Sequence, residues 1–351
     1  TANIGNYDER TNLKIIPQNL TPEAFLEMAN QAEEKAELSN QTLHLPMRAR
    51  MLSQHIFNAQ LDPFYHAPEG YDRVAESNSN TYGVGVTLQD IENLPQELRE
   101  HFTAYHAKDV NGQLVTHYHR FGERFDAELR AIDYYLYKAQ EWANHEERQI
   151  IGGQRRAMRT GNLDDIKAAE RAWLRYRSTD LEVVIGFIET YTDPMDIRGG
   201  WEGFVLLKSQ NPETVERVQA TRANFDQFEA LTPFAKEYKK APGSVVPQSE
   251  GANIVYTGGE NAYRPFSGVN LPNWSDLQRE EGSKSFTAIN VTDDVEGEDS
   301  QIKEVVLNTY YGINNRGRIA AMNAKYYAAA QVEFHELLGH GSGRVNEGVD
   351  E

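Results

Sequence analysis

The sequence predicts an α+β protein that is predominantly helical. Three observations carry this: apolar residues recur at one-face helical spacing through most of the first half, strand and loop signals cluster at 181–191 and 241–282, and a helical pattern returns after Arg318. The chain has 351 residues, enough for two domains or one large one. It contains no apolar run of about 18 residues, which excludes a membrane-spanning helix. With 35 Lys+Arg against 53 Asp+Glu the net charge is −18. So acidic a balance opposes binding to a phosphate backbone, which needs clustered cations, and nucleic acid is not an expected partner. Zero cysteines exclude disulfides, thiolate metal sites and a cysteine nucleophile, so any metal must sit on His, Asp or Glu.

Taken in order, Thr21 caps a helix with Pro22 at its first position, and Phe25, Met28, Ala29, Ala32 and Ala36 line one face. Pro95 opens a second helical segment with Leu98, Phe102 and Tyr105 on one side. The stretch Asp109 to Arg120 has Asn111-Gly112 between alternating residues and reads as a hairpin. Helical rhythm resumes from Glu123 to Glu147 through Phe125, Leu129, Ile132, Leu136 and Trp142, and again from Asp164 to Arg175. Leu181 to Tyr191 is a β-branched run ended by Thr192-Asp193-Pro194. Ala241 to Gly282 reads as loops and short strands, and Asp293 to Asp299 as an acidic solvated loop. The last helix builds through Ile319, Met322, Tyr326, Ala330, Val332 and Phe334 until Gly339 and Gly341. No leader follows Thr1, which implies a targeting peptide already removed or never present.

The strongest chemical signal ends that helix: His335-Glu336-Leu337-Leu338-Gly339-His340. In the zinc motif H-E-x-x-H two histidines four residues apart share a helix face, and the Glu between them activates water. Here the second His stands five residues on, which rotates it by about 140° on an ideal helix instead of about 40°. Both imidazoles can reach one ion only if the backbone carries an extra residue, a bulge or unwound turn, and Gly339 is the residue expected to permit it. The chemistry would be hydrolysis, with Glu336 taking a proton as water attacks a carbonyl.

That hexapeptide, with Gly341-Ser342-Gly343 behind it, resembles the signature of the dipeptidyl peptidase III family, metallopeptidase family M49. Gly186-Phe187-Ile188-Glu189-Thr190-Tyr191 followed by Asp193-Pro194 is similar to the strand with which that family grips a substrate's N-terminus, and Gly268-Val269-Asn270-Leu271-Pro272-Asn273 is similar to its second substrate-binding segment. The resemblance implies a zinc aminodipeptidase acting on short peptides with free N-termini. It implies one Zn²⁺ held by His335 and His340, with Glu336 as general base. It further implies that Tyr191 donates to the developing oxyanion, that Glu189 binds the N-terminal ammonium, and that Asn270 and Asn273 hold the peptide backbone. The implied fold has two lobes and a wide cleft: 1–205 with 245–295 as a mixed lobe containing a small barrel-like sheet, and 206–244 with 296–351 as the start of a helical zinc lobe.

The family takes a third zinc ligand from a downstream Glu-Glu-x-Arg-Ala helix, and no such motif occurs here. The third ligand is therefore expected from outside this chain, either from a missing C-terminal part of the same protein or from a second piece that supplies the helix, and the isolated chain is expected to be inactive. Glu347, Asp350 and Glu351 are not expected to serve. The alternatives are a zinc endopeptidase or aminopeptidase of another class, or a catalytically silent peptide-binding fragment. His145-Glu146-Glu147 has Gln149 where a second His should stand and reads as an exposed helix face, while His117 and His119 read as hairpin surface. The compartment stays open, with the cytoplasm favoured.

Overall fold

The computed structural model describes residues 6–8, 11–38, 43–176, 180–244, 246–262, 265–291 and 330–344. It is α+β with more residues in helices than in strands, as expected. The chain divides into two compact units, Thr1–Asp126 with Glu189–Gly200, and Ala127–Ile188 with Trp201–Glu351. No described helix is long and apolar enough to cross a membrane.

The first unit begins with a short ladder, β1 (Asn6–Tyr7) and β2 (Lys14–Ile15), followed by α1 (Pro22–Glu37) and α2 (Leu45–Phe57). Thr21 caps α1 by accepting the Ala24 amide. The buried Glu33 carboxylate of α1 gathers the amides of Leu43, His44 and Leu45 at 2.7–3.0 Å and so closes the N-terminus of α2, which carries no cap of its own. Neither Glu33 nor α2 stood out in the sequence. Then come α3 (Leu88–Glu92) and α4 (Gln96–Arg99), and the hairpin of β3 (Ala104–Lys108) and β4 (Leu114–Tyr118). The helix expected after Pro95 thus lasts four residues, and Tyr105 belongs to β3, where it pairs with His117. The hairpin turns at Gly112 with φ +78° while Asp109 accepts the amides of Asn111 and Gln113.

His117 is exposed as expected, but His119 is 4% exposed and packs 5.1 Å from the Phe125 ring. It lies just past the end of β4, where the chain turns inward.

The second unit holds α5 (Asp126–Ala139, from Ala127 on), α6 (His145–Thr160) and α7 (Leu163–Arg175), then β5 (Leu181–Phe187), β6 (Trp201–Lys208), α8 (Pro212–Ala223), α9 (Phe225–Leu231), β7 (Gln248–Gly259), β8 (Gly268–Leu271), α10 (Ser275–Glu281) and β9 (Lys284–Ala288). The helix expected to run to Glu147 stops at Ala139, because Asn144 and Glu147 form a reciprocal capping box that starts α6 anew, with His145 on its exposed first turn. Between 241 and 282, β7 is twelve residues long and α10 is helical, where only short strands and loops were expected. Few of the β7 side chains are buried, so its apolar signal is weak; the ladder with β6 holds it extended. The acidic stretch 293–299 and the helix before Ala330 lie outside the described residues.

The five strands form one sheet in the order β5-β6-β7-β9-β8, antiparallel except for β7 with β9. Its core joins α6, α7 and one sheet face through Ile150, Trp173, Leu174, Phe204, Leu206 and Phe286. Strand β9 is buried along its whole length and alternates sharply. Lys284 and Phe286 point to the helical layer, where Lys284 lies 4.6 Å above the Trp173 ring and 3.2 Å from the buried Glu182 carboxylate. Ser285 points to the opposite face.

Two buried histidines make the first unit acid-sensitive. Burial pushes His119 down to about 3, with the Arg124 guanidinium adding to the effect, and burial followed by Arg198 does the same to His106. Both folded values lie below the ordinary 6.5, so the unfolded chain binds more protons as pH falls from about 6.5 towards 3. Their contribution to stability is complete above pH 6.5 and lost over that window. The stability difference between the parent and His119→Phe, read from urea midpoints, is expected to stay constant above pH 6.5 and to change below it. The parent should lose up to about 1.4 kcal/mol more per pH unit. Parallel curves would mean that His119 protonates normally in the fold.

Candidate functional site

The helix that carries the strongest motif is α-helical at 330–334 and changes to a π-turn over His335–Gly339. The His340 amide donates to the His335 carbonyl five residues back, at 3.1 Å. This is the extra residue that the five-residue spacing requires. It brings the rings of His335 and His340 to a centroid separation of 4.9 Å at 87°, both exposed, with Glu336 buried between them in sequence. Two imidazole rings brought this close are a candidate donor pair for a borderline divalent cation. Among the described residues no group of three or more His, Asp or Glu is assembled to hold a metal ion. Glu347, Asp350 and Glu351 lie outside the described residues.

The glycines act differently from expectation. A Cβ on Gly339 would meet only the His335 ring, at 3.8 Å, an ordinary contact. Gly341 is the tight one: a Cβ there would fall onto the Leu337 carbonyl and within 2.7 Å of Pro247. The chain leaves the helix by this narrow exit and is tied down at once. Lys240 donates to the Gly341 carbonyl, and the buried Glu229 carboxylate accepts the Gly343 amide at 3.1 Å and the Lys240 amide at 2.8 Å. On the incoming side Arg217 of α8 grips the buried Glu333 through three contacts of 2.7–3.1 Å. Burial raises the Glu333 pKa, and Arg217 opposes that rise. Phe334 packs edge-on against Phe228 of α9 at 5.1 Å.

Strands β8 and β9 meet the motif from the sheet. Gly268, at the start of β8, touches it: a Cβ there would lie 2.5 Å from Glu336 Oε1 and 2.6 Å from Val332. Only glycine lets β8 approach so near. Asn270 is buried, and its Nδ2 donates to the Glu336 carbonyl at 3.0 Å and to Ser285 Oγ at 2.6 Å. Asn273, past Pro272, is exposed. So His335, Glu336, His340 and Asn270 form one cluster in the second unit, and Asn273 follows at the end of β8.

Glu189 and Tyr191 belong to the first unit. They sit beyond β5, which ends at Phe187, on a loop instead of the expected strand. The cause is Asp193, whose carboxylate gathers the amides of Met195, Ile197 and Arg198 at 2.8–3.2 Å and curls the chain. Arg198, wholly buried, lies 3.5 Å from the same carboxylate and donates to the Tyr82 hydroxyl, the Arg99 carbonyl and His106 Nε2. Because Nε2 of His106 accepts, its proton is on Nδ1, which faces Thr116 Oγ1 at 3.0 Å. The loop is closed by Gly200, which donates to the Glu189 carbonyl at 2.7 Å, and Tyr65 donates to the Tyr191 carbonyl at 3.3 Å. The Tyr191 side chain is 67% exposed. Sequence reading passed over Ser285, Arg217, Glu229 and Arg198. Of these only Ser285 left a trace, in the strict small-polar and bulky alternation of Ser283-Lys284-Ser285-Phe286-Thr287.

Known proteins share both sequence and fold with this chain. Over 205 residues it is 27% identical to dipeptidyl peptidase 3 of Nematostella vectensis, covering 58% of this chain and 26% of that protein. It is 26% identical over 218 residues to dipeptidyl peptidase 3 of Homo sapiens, covering 62% and 28%. The match thus spans about a quarter of the length of these curated relatives. Among solved structures, dipeptidyl-peptidase III from Corallococcus sp. strain EGB superposes with a TM-score of 0.63 at 18% identity, over 91% of this chain and 59% of that one. DPP III from Caldithrix abyssi gives 0.57 at 19%, over 81% and 54%. The family model for peptidase family M49 matches residues 71–349, well over half of the chain, and the chain therefore belongs to that family.

Proposed function

We propose that this chain forms part of a zinc-dependent aminodipeptidase that removes dipeptides from the free N-termini of short peptides. The observation that carries the reading is the π-turn, which sets His335 and His340 side by side next to a buried Glu336. Their nitrogens suit zinc, and the two histidines would hold it together with a third ligand from elsewhere in the complete gene product. When bound, zinc supplies a Lewis acid that makes water nucleophilic near neutral pH.

The remaining steps belong to the chain's own side chains. Glu336 accepts the water proton on its carboxylate as the oxygen attacks the scissile carbonyl, then returns it to the departing amine nitrogen. Gly268, which has no Cβ, leaves room for that carboxylate beside β8. Tyr191 donates its phenolic proton to the oxyanion, and Glu189 pairs with the substrate ammonium, which sets the cut two residues from the N-terminus. Asn270 takes part in holding the peptide backbone. Its buried Oδ1 has no protein partner among the described residues. Asn273 holds the next stretch of backbone. The lobe boundaries implied by the resemblance, 1–205 with 245–295 and 206–244 with 296–351, belong to the same proposal.

In the complete gene product, Glu336→Ala is expected to keep its zinc and to lose turnover by about 10²- to 10⁴-fold, since only the base is removed. Metal content and kcat on a dipeptidyl substrate check this, and full activity with zinc present would refute the assignment. Glu189→Gln is expected to damage turnover of peptides with free N-termini far more than that of their N-acetylated partners. Equal losses on the matched pair would make Glu189 structural.

A further inference from the structure

The π-turn poses a problem of hydrogen bonding. In a regular helix the His340 amide would serve the Glu336 carbonyl, four residues back; here it serves His335 instead. The Glu336 carbonyl has therefore lost its helical donor inside a buried residue, where an unmet carbonyl costs about 1–3 kcal/mol. Two side chains meet it: Asn270 Nδ2 at 3.0 Å and Ser285 Oγ at 3.3 Å. Asn270 and Ser285 are directly opposite each other in the β8–β9 ladder, so they reach the same face as one cross-strand pair. Both are buried, at 6% and 1% exposure.

The pair is ordered as a relay. The Asn270 amide carries two protons and has three acceptors in reach, Ser283 Oγ at 3.1 Å, Ser285 Oγ at 2.6 Å and the Glu336 carbonyl. The opposite amide orientation would set Oδ1 against that carbonyl, two acceptors facing each other. When Ser285 accepts from Asn270, its own hydroxyl proton is free to turn to Glu336. A bulge relaxes easily if its displaced carbonyl has nowhere to go but back to the helix. Here the sheet takes that carbonyl and leaves the His340 amide to His335.

We propose that Asn270 and Ser285 are positioning residues that hold the π-turn by capturing the Glu336 carbonyl, and thereby set the angle between His335 and His340. The consequence for metal rests on the zinc reading above; the hold on the turn does not. Ser285 carries the sharper test, because it has no assigned contact with substrate and Ser285→Ala removes a single oxygen. Asn270→Asp is the second variant, since it keeps the shape and replaces the donor with an acceptor.

In the zinc-free complete gene product, hydrogen exchange at the His340 amide is expected to speed up in both variants, more in Asn270→Asp, while the β5–β6 amides keep their protection. A general loss of stability would raise both sets together. In zinc titrations against a competing chelator, Ser285→Ala is expected to bind zinc about tenfold more weakly, and Asn270→Asp more weakly still. Parent-like His340 exchange in both variants would overturn the proposal, as would uniform acceleration across the second unit. Zinc binding by neither parent nor variants would instead overturn the metal reading, and the exchange result would still decide whether the pair holds the turn.

Discussion

Much of the second unit depends on one strand being buried on both faces. β9 separates two environments that need opposite side chains: towards α6 and α7 it sends Lys284 and Phe286 into an aromatic core, and towards the motif helix it sends Ser285. Period-two alternation makes this possible, because neighbouring residues of a strand never share a face. The pairing register then decides everything else, since a slip of one residue would put Lys284 under Glu336 and Ser285 against Trp173. Glu182 guards that register. It lies at the far side of the sheet on β5, yet receives Lys284 at 3.2 Å, Lys208 at 3.3 Å and the Trp173 indole at 2.8 Å. A buried lysine without that carboxylate would be costly in any other position.

On the motif side small size matters as much as polarity. Gly268, Asn270 and Ser285 make a sheet surface low enough for a helix to sit almost on the backbone. The helix is held at both ends by charges of its neighbours: Arg217 grips Glu333 before the motif, and Glu229 receives the Gly343 amide after it. Between these two fixed points the chain has one residue more than a regular helix would need, and the π-turn takes it up. The first unit solves a similar problem with Asp193 and Arg198. There a buried ion pair, further bonded to Tyr82 and His106, sets the course of the loop carrying Glu189 and Tyr191.

Several elements were legible because their signals are local. Thr21-Pro22 announced α1 and Asn111-Gly112 the hairpin, each through capping or turn chemistry within a few residues, and helical rhythm alone announced Asp164 to Arg175, most of α7. The interruption between α5 and α6 escaped notice because a capping box competes with apolar rhythm, and rhythm alone continues past it. Strand β7 escaped because its extension comes from β6, a partner that no window of sequence contains. His119 was read as surface because alternation along β4 gives no hint that the chain turns inward one residue after the strand ends.

By itself the sequence marked the residues on which the proposed chemistry rests: two histidines, a glutamate between them, and a five-residue spacing that would turn the two rings apart on a regular helix. It also settled the absence of thiol chemistry and the helical bias of the first half. Only the tertiary structure decided how the spacing is accommodated. Gly339 has the local freedom but only an ordinary contact with the His335 ring, whereas Gly341 is confined by Pro247 and the displaced Glu336 carbonyl is taken by Asn270 and Ser285 from strands some fifty residues or more away. The reason is physical. A backbone distortion persists only where outside groups satisfy the hydrogen bonds it breaks, and those groups are brought together by the fold, not by neighbours in the chain.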